Sequence, residues 1–209
     1  MTRLAILDLD GTLVDSVDDL AASVNHALAA LRLPARSTGE IRSFVGEGAR
    51  LLVARAIAPR DELLEPALAL WAEHYDAHCL DRTRLYPGMD AALAGAGRVL
   101  AVHTNKPGAL ARKILAGLGA AGRFAAIVGG DDAPRKPDPA GTLEIMAQVG
   151  ASRADTVFVG DSRVDVTTAR AAGVALVAVT WGLESRHDLA AAGATVFADD
   201  AAELVPHLR

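Results

Sequence analysis

A chain of 209 residues, 51% hydrophobic and 22% charged, is large enough for one domain carrying a substantial insertion and has the composition of a globular protein with an ample core. Its formal charge of −5 argues against a broad nucleic-acid footprint, and its single cysteine, Cys79, excludes an intramolecular disulfide. Arg3 precedes only four apolar residues before Asp8, and no apolar run approaches the roughly 20 residues that span a bilayer, so neither a signal peptide nor a membrane partner is expected and a cytoplasmic location is.

The first element is Leu4-Ala5-Ile6-Leu7, an apolar run bounded by Asp and Gly that reads as a short buried strand. It breaks into Asp8-Leu9-Asp10-Gly11-Thr12-Leu13, and strand alternation sends Asp8 and Asp10 to the same side. After Thr12 the period becomes 3.6, with Val17, Leu20, Val24, Leu28 and Leu31 on one face and Asp15, Asp18 and Asp19 near the helix start. Leu33-Pro34 ends that helix. Further helices are expected over 38–44, 49–57 and 61–80, with no strand between Asp15 and Tyr86.

From Pro87-Gly88 strand and helix alternate. Helices are expected to 94, from 105 to 118, from 138 to 149, over 163–172 and over 201–208; strands over 98–103, 125–128, 156–159, 175–180 and 195–198. Apolar strands without polar alternation, separated by helices, imply a doubly wound α/β fold whose mostly parallel sheet is covered on both faces. In such sheets ligands bind beyond the carboxyl ends of the strands. Those ends carry Asp8 and Asp10, then Thr104 and Asn105, then Gly129-Gly130-Asp131, then Asp161 and Ser162.

Two carboxylates leaving a buried strand repel each other unless a cation or proton intervenes, so Asp8 and Asp10 point to a divalent metal with one carboxylate left to react. Thr104 precedes a helix start, where a hydroxyl beside free N–H groups serves equally as a phosphate cradle or an ordinary N-cap. Lysines are scarce, only Lys106, Lys113 and Lys136, and Pro137 and Pro139 restrict where Lys136 can point. No His pair has zinc-ligand spacing, and the Gly-rich pieces match neither the P-loop nor the dinucleotide fingerprint.

Asp8-Leu9-Asp10-Gly11-Thr12-Leu13-Val14-Asp15-Ser16 resembles the first signature of the haloacid-dehalogenase-like (HAD) phosphohydrolases. Thr104-Asn105-Lys106-Pro107, Lys136-Pro137-Asp138-Pro139 and Val157-Phe158-Val159-Gly160-Asp161-Ser162-Arg163-Val164-Asp165 resemble the remaining three, in order. The resemblance implies a Rossmann-like core over 1–14 and 87–209 with an inserted α-helical cap over 15–86. It implies Asp8 as nucleophile, Asp10 as general acid and base, and Mg2+ held by Asp8, the Asp10 carbonyl and Asp161. Thr104, Asn105 and Lys136 would bind the phosphoryl group. Asp165 would hold a metal-bound water or Lys136, contact the metal directly, or simply compensate the helix dipole.

Within the family the nearest resemblance is to phosphoglycolate phosphatases, carried by Phe44-Val45-Gly46-Glu47-Gly48-Ala49, Tyr86-Pro87-Gly88 and Gly129-Gly130-Asp131; Leu183 departs from the Tyr often found there. The implied partner is a small phosphorylated metabolite, 2-phosphoglycolate, acted on by a monomer or homodimer. Arg50, then Arg42, is the expected reader of its carboxylate. Inorganic pyrophosphatases, broad sugar or nucleotide phosphatases and sugar phosphomutases share most of these stretches, and a receiver-type signalling domain is the non-enzymatic alternative.

Overall fold

The computed structural model describes residues 3–209. The chain runs β1 (Leu4–Leu7), β2 (Val14–Asp15), α1 (Val17–Ala30), α2 (Thr38–Phe44), α3 (Ala49–Ile57), α4 (Leu64–His78), β3 (Arg84–Leu85), α5 (Met89–Ala94), β4 (Val99–His103), α6 (Gly108–Gly117), β5 (Phe124–Val128), α7 (Ala140–Val149), β6 (Thr156–Gly160), α8 (Arg163–Ala172), β7 (Ala175–Val179), α9 (Arg186–Ala192), β8 (Phe197–Ala198) and α10 (Ala201–Leu208). Six strands form one parallel sheet in the order β5-β4-β1-β6-β7-β8. The chain therefore winds outward from β1 in both directions, which makes the crevice at the carboxyl end of β1 the switch point where such sheets bind ligands.

Alternation within β1 supplies both faces of the sheet. Ala5 and Leu7 join Val102, Val159 and Val179 beneath α5, α6 and α10; Leu4 and Ile6 join Ala101, Phe158, Ile145 and Met146 beneath α7 and α8. Every residue of β1 is fully buried, as a central parallel strand requires. On the helical side Leu20, Val24 and Leu28 of α1 pack with Leu52 and Val53 of α3 and Trp71 and Tyr75 of α4. Ser37 and Glu40 form a reciprocal cap at the start of α2.

Three features depart from the sequence reading. Arg84–Leu85 is a strand, pairing antiparallel with Val14–Asp15, so the stretch between Asp15 and Tyr86 is not wholly helical. The expected helix over 61–80 is a 3-10 turn at Asp61–Leu63 followed by α4. Helix α9, whose Ser185 hydroxyl accepts the Asp188 N–H, lies in a segment read without an element. No helix among the described residues is long and apolar enough to cross a membrane.

Candidate active site

The β1 ladder continues into Asp8, whose N–H donates to the Val159 carbonyl at 2.9 Å and so fixes where the carboxylate emerges. Asp8 Oδ1 accepts the Leu9 N–H at 2.7 Å and lies 2.8 Å from Lys136 Nζ. Oδ2 has no protein donor among the described residues. Asp10 turns into the same pocket and is gripped differently: Lys106 Nζ donates to its two oxygens at 2.8 and 2.9 Å, and the buried Ser16 hydroxyl donates to Oδ1. Same-side placement of the two acids thus holds, and each has its own lysine.

Asp161 and Asp165 flank the start of α8. Asp161 Oδ1 accepts the Thr12 hydroxyl at 2.7 Å and Oδ2 the Leu183 N–H at 2.7 Å, leaving each oxygen a lone pair. Asp165 is more fully used. Its Oδ2 takes the N–H groups of Asp161 and Ser162 and the Ser162 hydroxyl, and its Oδ1 takes Lys136 Nζ at 2.7 Å. Four donors on one carboxylate match its usual capacity. Of the alternatives open for Asp165, this geometry favours the holder of Lys136 and cap of α8.

Oxygens of Asp8, Asp161 and Asp165 lie within 4.8 Å of one another, all three residues buried. With Asp10 there are four carboxylates against the ammonium groups of Lys106 and Lys136, a formal excess of two negative charges that one divalent cation balances. The electrostatic strain is visible in the acids. Burial pushes the Asp8 carboxyl up to about 7, Asp165 adding to the rise and Lys136 opposing it. Burial, then Asp165 and Asp8, hold Asp161 well above the ordinary carboxylate range despite its two donors. Burial works against the Lys136 ammonium, but Asp165 and Asp8 outweigh it and keep the lysine firmly protonated. A hard cation with oxygen ligands fits this donor set.

Thr104 continues β4 with its N–H on the Val128 carbonyl, and its hydroxyl accepts the Lys106 N–H at 3.2 Å. The Asn105 side chain is a tie: Nδ2 donates to the carbonyls of Gly46 and Lys136, both at 3.0 Å, while Oδ1 is buried without a partner. Asp8, Asp10, Thr104, Asn105 and Lys106 line one pocket with Leu20, Val45, Gly46, Gly48, Leu52 and Trp71 opposite, and Lys136 stands behind Asp8. The helical block therefore faces the carboxyl ends of β1 and β4 across the pocket.

Arg50 is not brought there. It follows the first residue of α3, which directs its guanidinium outward to Glu65 at 2.6 Å on the exposed surface, while the neighbouring Gly48, Ala49 and Leu52 reach the pocket wall. Arg42 donates to the Gly182 carbonyl, in the loop that also supplies the Leu183 N–H to Asp161. The residue missed was Lys106, buried at the centre of the site. Its scarcity as a residue type and its place two positions after Thr104 were the available signals. His103 points to the other face of β4, with Nδ1 3.0 Å from the Thr142 hydroxyl.

A family model described as haloacid dehalogenase-like hydrolase matches residues 5–179. Phosphoglycolate phosphatase 1 of Pseudomonas aeruginosa is 40% identical over 218 residues, covering 99% of this chain and 79% of that protein. A phosphoglycolate phosphatase of Rhodospirillum rubrum is 41% identical over 217 residues, covering 98% and 90%. A crystal structure described as a predicted phosphoglycolate phosphatase, from Haemophilus somnus, superposes with a TM-score of 0.93 at 31% identity over 100% of this chain and 98% of that one.

Proposed function

The chain belongs to the haloacid dehalogenase-like hydrolases, and within that family we propose that it is a magnesium-dependent phosphate-monoester hydrolase acting on a small metabolite, 2-phosphoglycolate. One observation carries the reading: two carboxylates two residues apart enter one pocket, one with an unengaged oxygen and a buried lysine beside it, the other held by a second lysine. Asp8 Oδ2 attacks phosphorus, giving an aspartyl-phosphate as the ester oxygen leaves. Asp10 protonates that oxygen and then takes a proton from the attacking water. Thr104 and Lys136 meet the phosphoryl oxygens from the protein side. Asp8, Asp161 and the Asp10 carbonyl would hold the magnesium, which when bound supplies charge neutralisation at the phosphoryl group.

We divide the chain into a core over 1–14 and 87–209 and a cap over 15–86. The pairing of β2 with β3 supports that division, because it ties together the two places where the chain passes between them. The cap excludes bulk water from the reacting phosphoryl group. The names of the Pseudomonas and Rhodospirillum relatives support 2-phosphoglycolate over the pyrophosphatase and sugar-phosphatase readings.

Phosphate release from a panel of small esters, with magnesium and with chelator, tests the proposal. Asp8→Asn should abolish release, and Asp10→Asn should lower it by about 10²- to 10⁴-fold, the usual contribution of a positioned acid–base group. An Asp8→Asn variant that retained turnover would falsify the nucleophile assignment. Phosphate retained on a sugar rather than released to water would make the protein a mutase.

A further inference from the structure

The cationic side chain lining the pocket is Lys106, and the phosphatase mechanism gives it nothing to do but hold Asp10. Its Nζ donates to both Asp10 oxygens and sits 4.9 Å from the centre of the Tyr75 ring, with its side chain only 4% exposed. Opposite it the wall is apolar, formed by Leu20, Val45, Leu52 and Trp71. Hydroxyl groups of a sugar would find few partners on such a wall and would lose their hydration uncompensated. Two further features there favour negative charge. Trp71 is 3% exposed with its indole Nε1 unpaired, and α3 begins at the pocket with no side chain capping its N-terminus.

We propose that Lys106 is the specificity residue that binds a carboxylate on the alcohol side of the substrate, with Trp71 Nε1 and the start of α3 as flanking donors. The inference rests on the phosphatase reading, since it takes the leaving oxygen to lie at the Asp10 carboxyl. Lys106 grips that carboxyl at 2.8–2.9 Å, so a carboxylate one methylene beyond the ester oxygen falls next to the ammonium. The substrate tail takes over part of the hydrogen bonding that Asp10 otherwise supplies. Selection is then against neutral tails, which leave the Trp71 N–H and the helix N-terminus without an acceptor, and against polyol tails, which the apolar wall does not satisfy.

The test compares kcat/KM for 2-phosphoglycolate with that for ethyl phosphate, a neutral ester of similar size. Any effect of Lys106 on Asp10 that does not depend on the tail is common to both esters and cancels in the ratio. Wild type should prefer the carboxylate, and Lys106→Met should lower the ratio by roughly ten- to a hundredfold, the loss of one charge-assisted contact. Lys106→Arg should keep a preference, and Trp71→Phe should reduce it severalfold while retaining the ring. The two latter variants decide the matter if Lys106→Met does not fold. An unchanged ratio in both Lys106→Met and Trp71→Phe, or a wild type indifferent to the tail, overturns the inference while leaving the phosphatase intact. A wild type that hydrolyses neither ester overturns 2-phosphoglycolate as the substrate instead, while the phosphatase stands on the wider panel of esters. Calorimetric titration with glycolate then judges Lys106 alone: binding lost in Lys106→Met supports the contact, and equal binding or none in wild type refutes it.

Discussion

His103 stands one residue before Thr104, yet it serves the fold and not the pocket. The strand sends it under α7, where it meets Thr142 and the edge of Phe158, and Gly141 has no Cβ because one would fall 2.5 Å from the imidazole Nε2. Burial, and then the Lys136 charge, depress its pKa to about 3, against an ordinary value near 6.5. Between those values the unfolded chain takes up a proton that the folded chain refuses. The stability this residue contributes is therefore complete above about pH 6.5 and is lost progressively as pH falls toward 3. At pH 4.5 the loss should amount to about 2–3 kcal/mol. Urea midpoints at pH 7 and 4.5 for wild type and His103→Gln measure it as a difference, in which the titration of the carboxylates cancels. An equal pH dependence in the two proteins would show that His103 is protonated within the fold.

Loops at the strand ends hold Asp8, Asp10 and Asp161, and glycines let them close in. An added Cβ at Gly11, where φ is +86°, would fall 2.1 Å from Asp161 Oδ2, and one at Gly182 would fall 2.3 Å from Asp161 Cβ. Gly182→Ala should displace Asp161 or the loop that donates the Leu183 N–H to it, at a cost of about 1–3 kcal/mol, and weaken magnesium binding as well. Gly122→Ala, which meets nothing within 4 Å, is the control. Calorimetric titration that found normal affinity in Gly182→Ala would mean that the loop is not part of the metal-binding frame. The elements were legible to unequal degrees. The parallel sheet and its helices were, because apolar runs and the 3.6 period are local. Arg84–Leu85 was not, since two residues carry no period and their pairing with Val14–Asp15 depends on chain crossings far apart in sequence. Asp8, Asp10 and Asp161 were legible as acids at strand ends, and Lys136 and Asp165 as matches to the family signatures. That Arg50 turns outward to Glu65 was not legible, because the direction of a side chain in the first turn of α3 depends on how that helix sits over the sheet. The same docking brings Gly48 and Trp71 to the pocket opposite Lys106, which no spacing in the sequence announces.

Across the whole molecule, the site works against the fold, and the proposed cation would relieve it. Asp8 and Asp161 both carry raised pKa values because they are buried beside further acids at the carboxyl edge of a sheet whose centre is otherwise apolar. A core this extensive tolerates the penalty, so chelation should stop activity without unfolding the chain. On the proposed reading magnesium binds only the assembled acids, and by mass action a hundredfold excess over Kd should add about 2.7 kcal/mol. For a chain of this size that corresponds to a rise in Tm of about 5–10 °C. Asp161→Asn separates the two effects. With the repulsion removed it should melt higher than wild type in chelator, and with a ligand removed it should show little further rise on adding magnesium. Asp165→Ala should behave in the opposite way. It takes four donors away from their acceptor and leaves Lys136 with one partner, so the metal-free protein should melt lower while much of the magnesium-dependent rise persists. Thermal melts of the three proteins with and without magnesium decide the ranking. Equal loss of the rise in both variants would put Asp165 directly on the metal, and a full rise retained in Asp161→Asn would remove Asp161 from it.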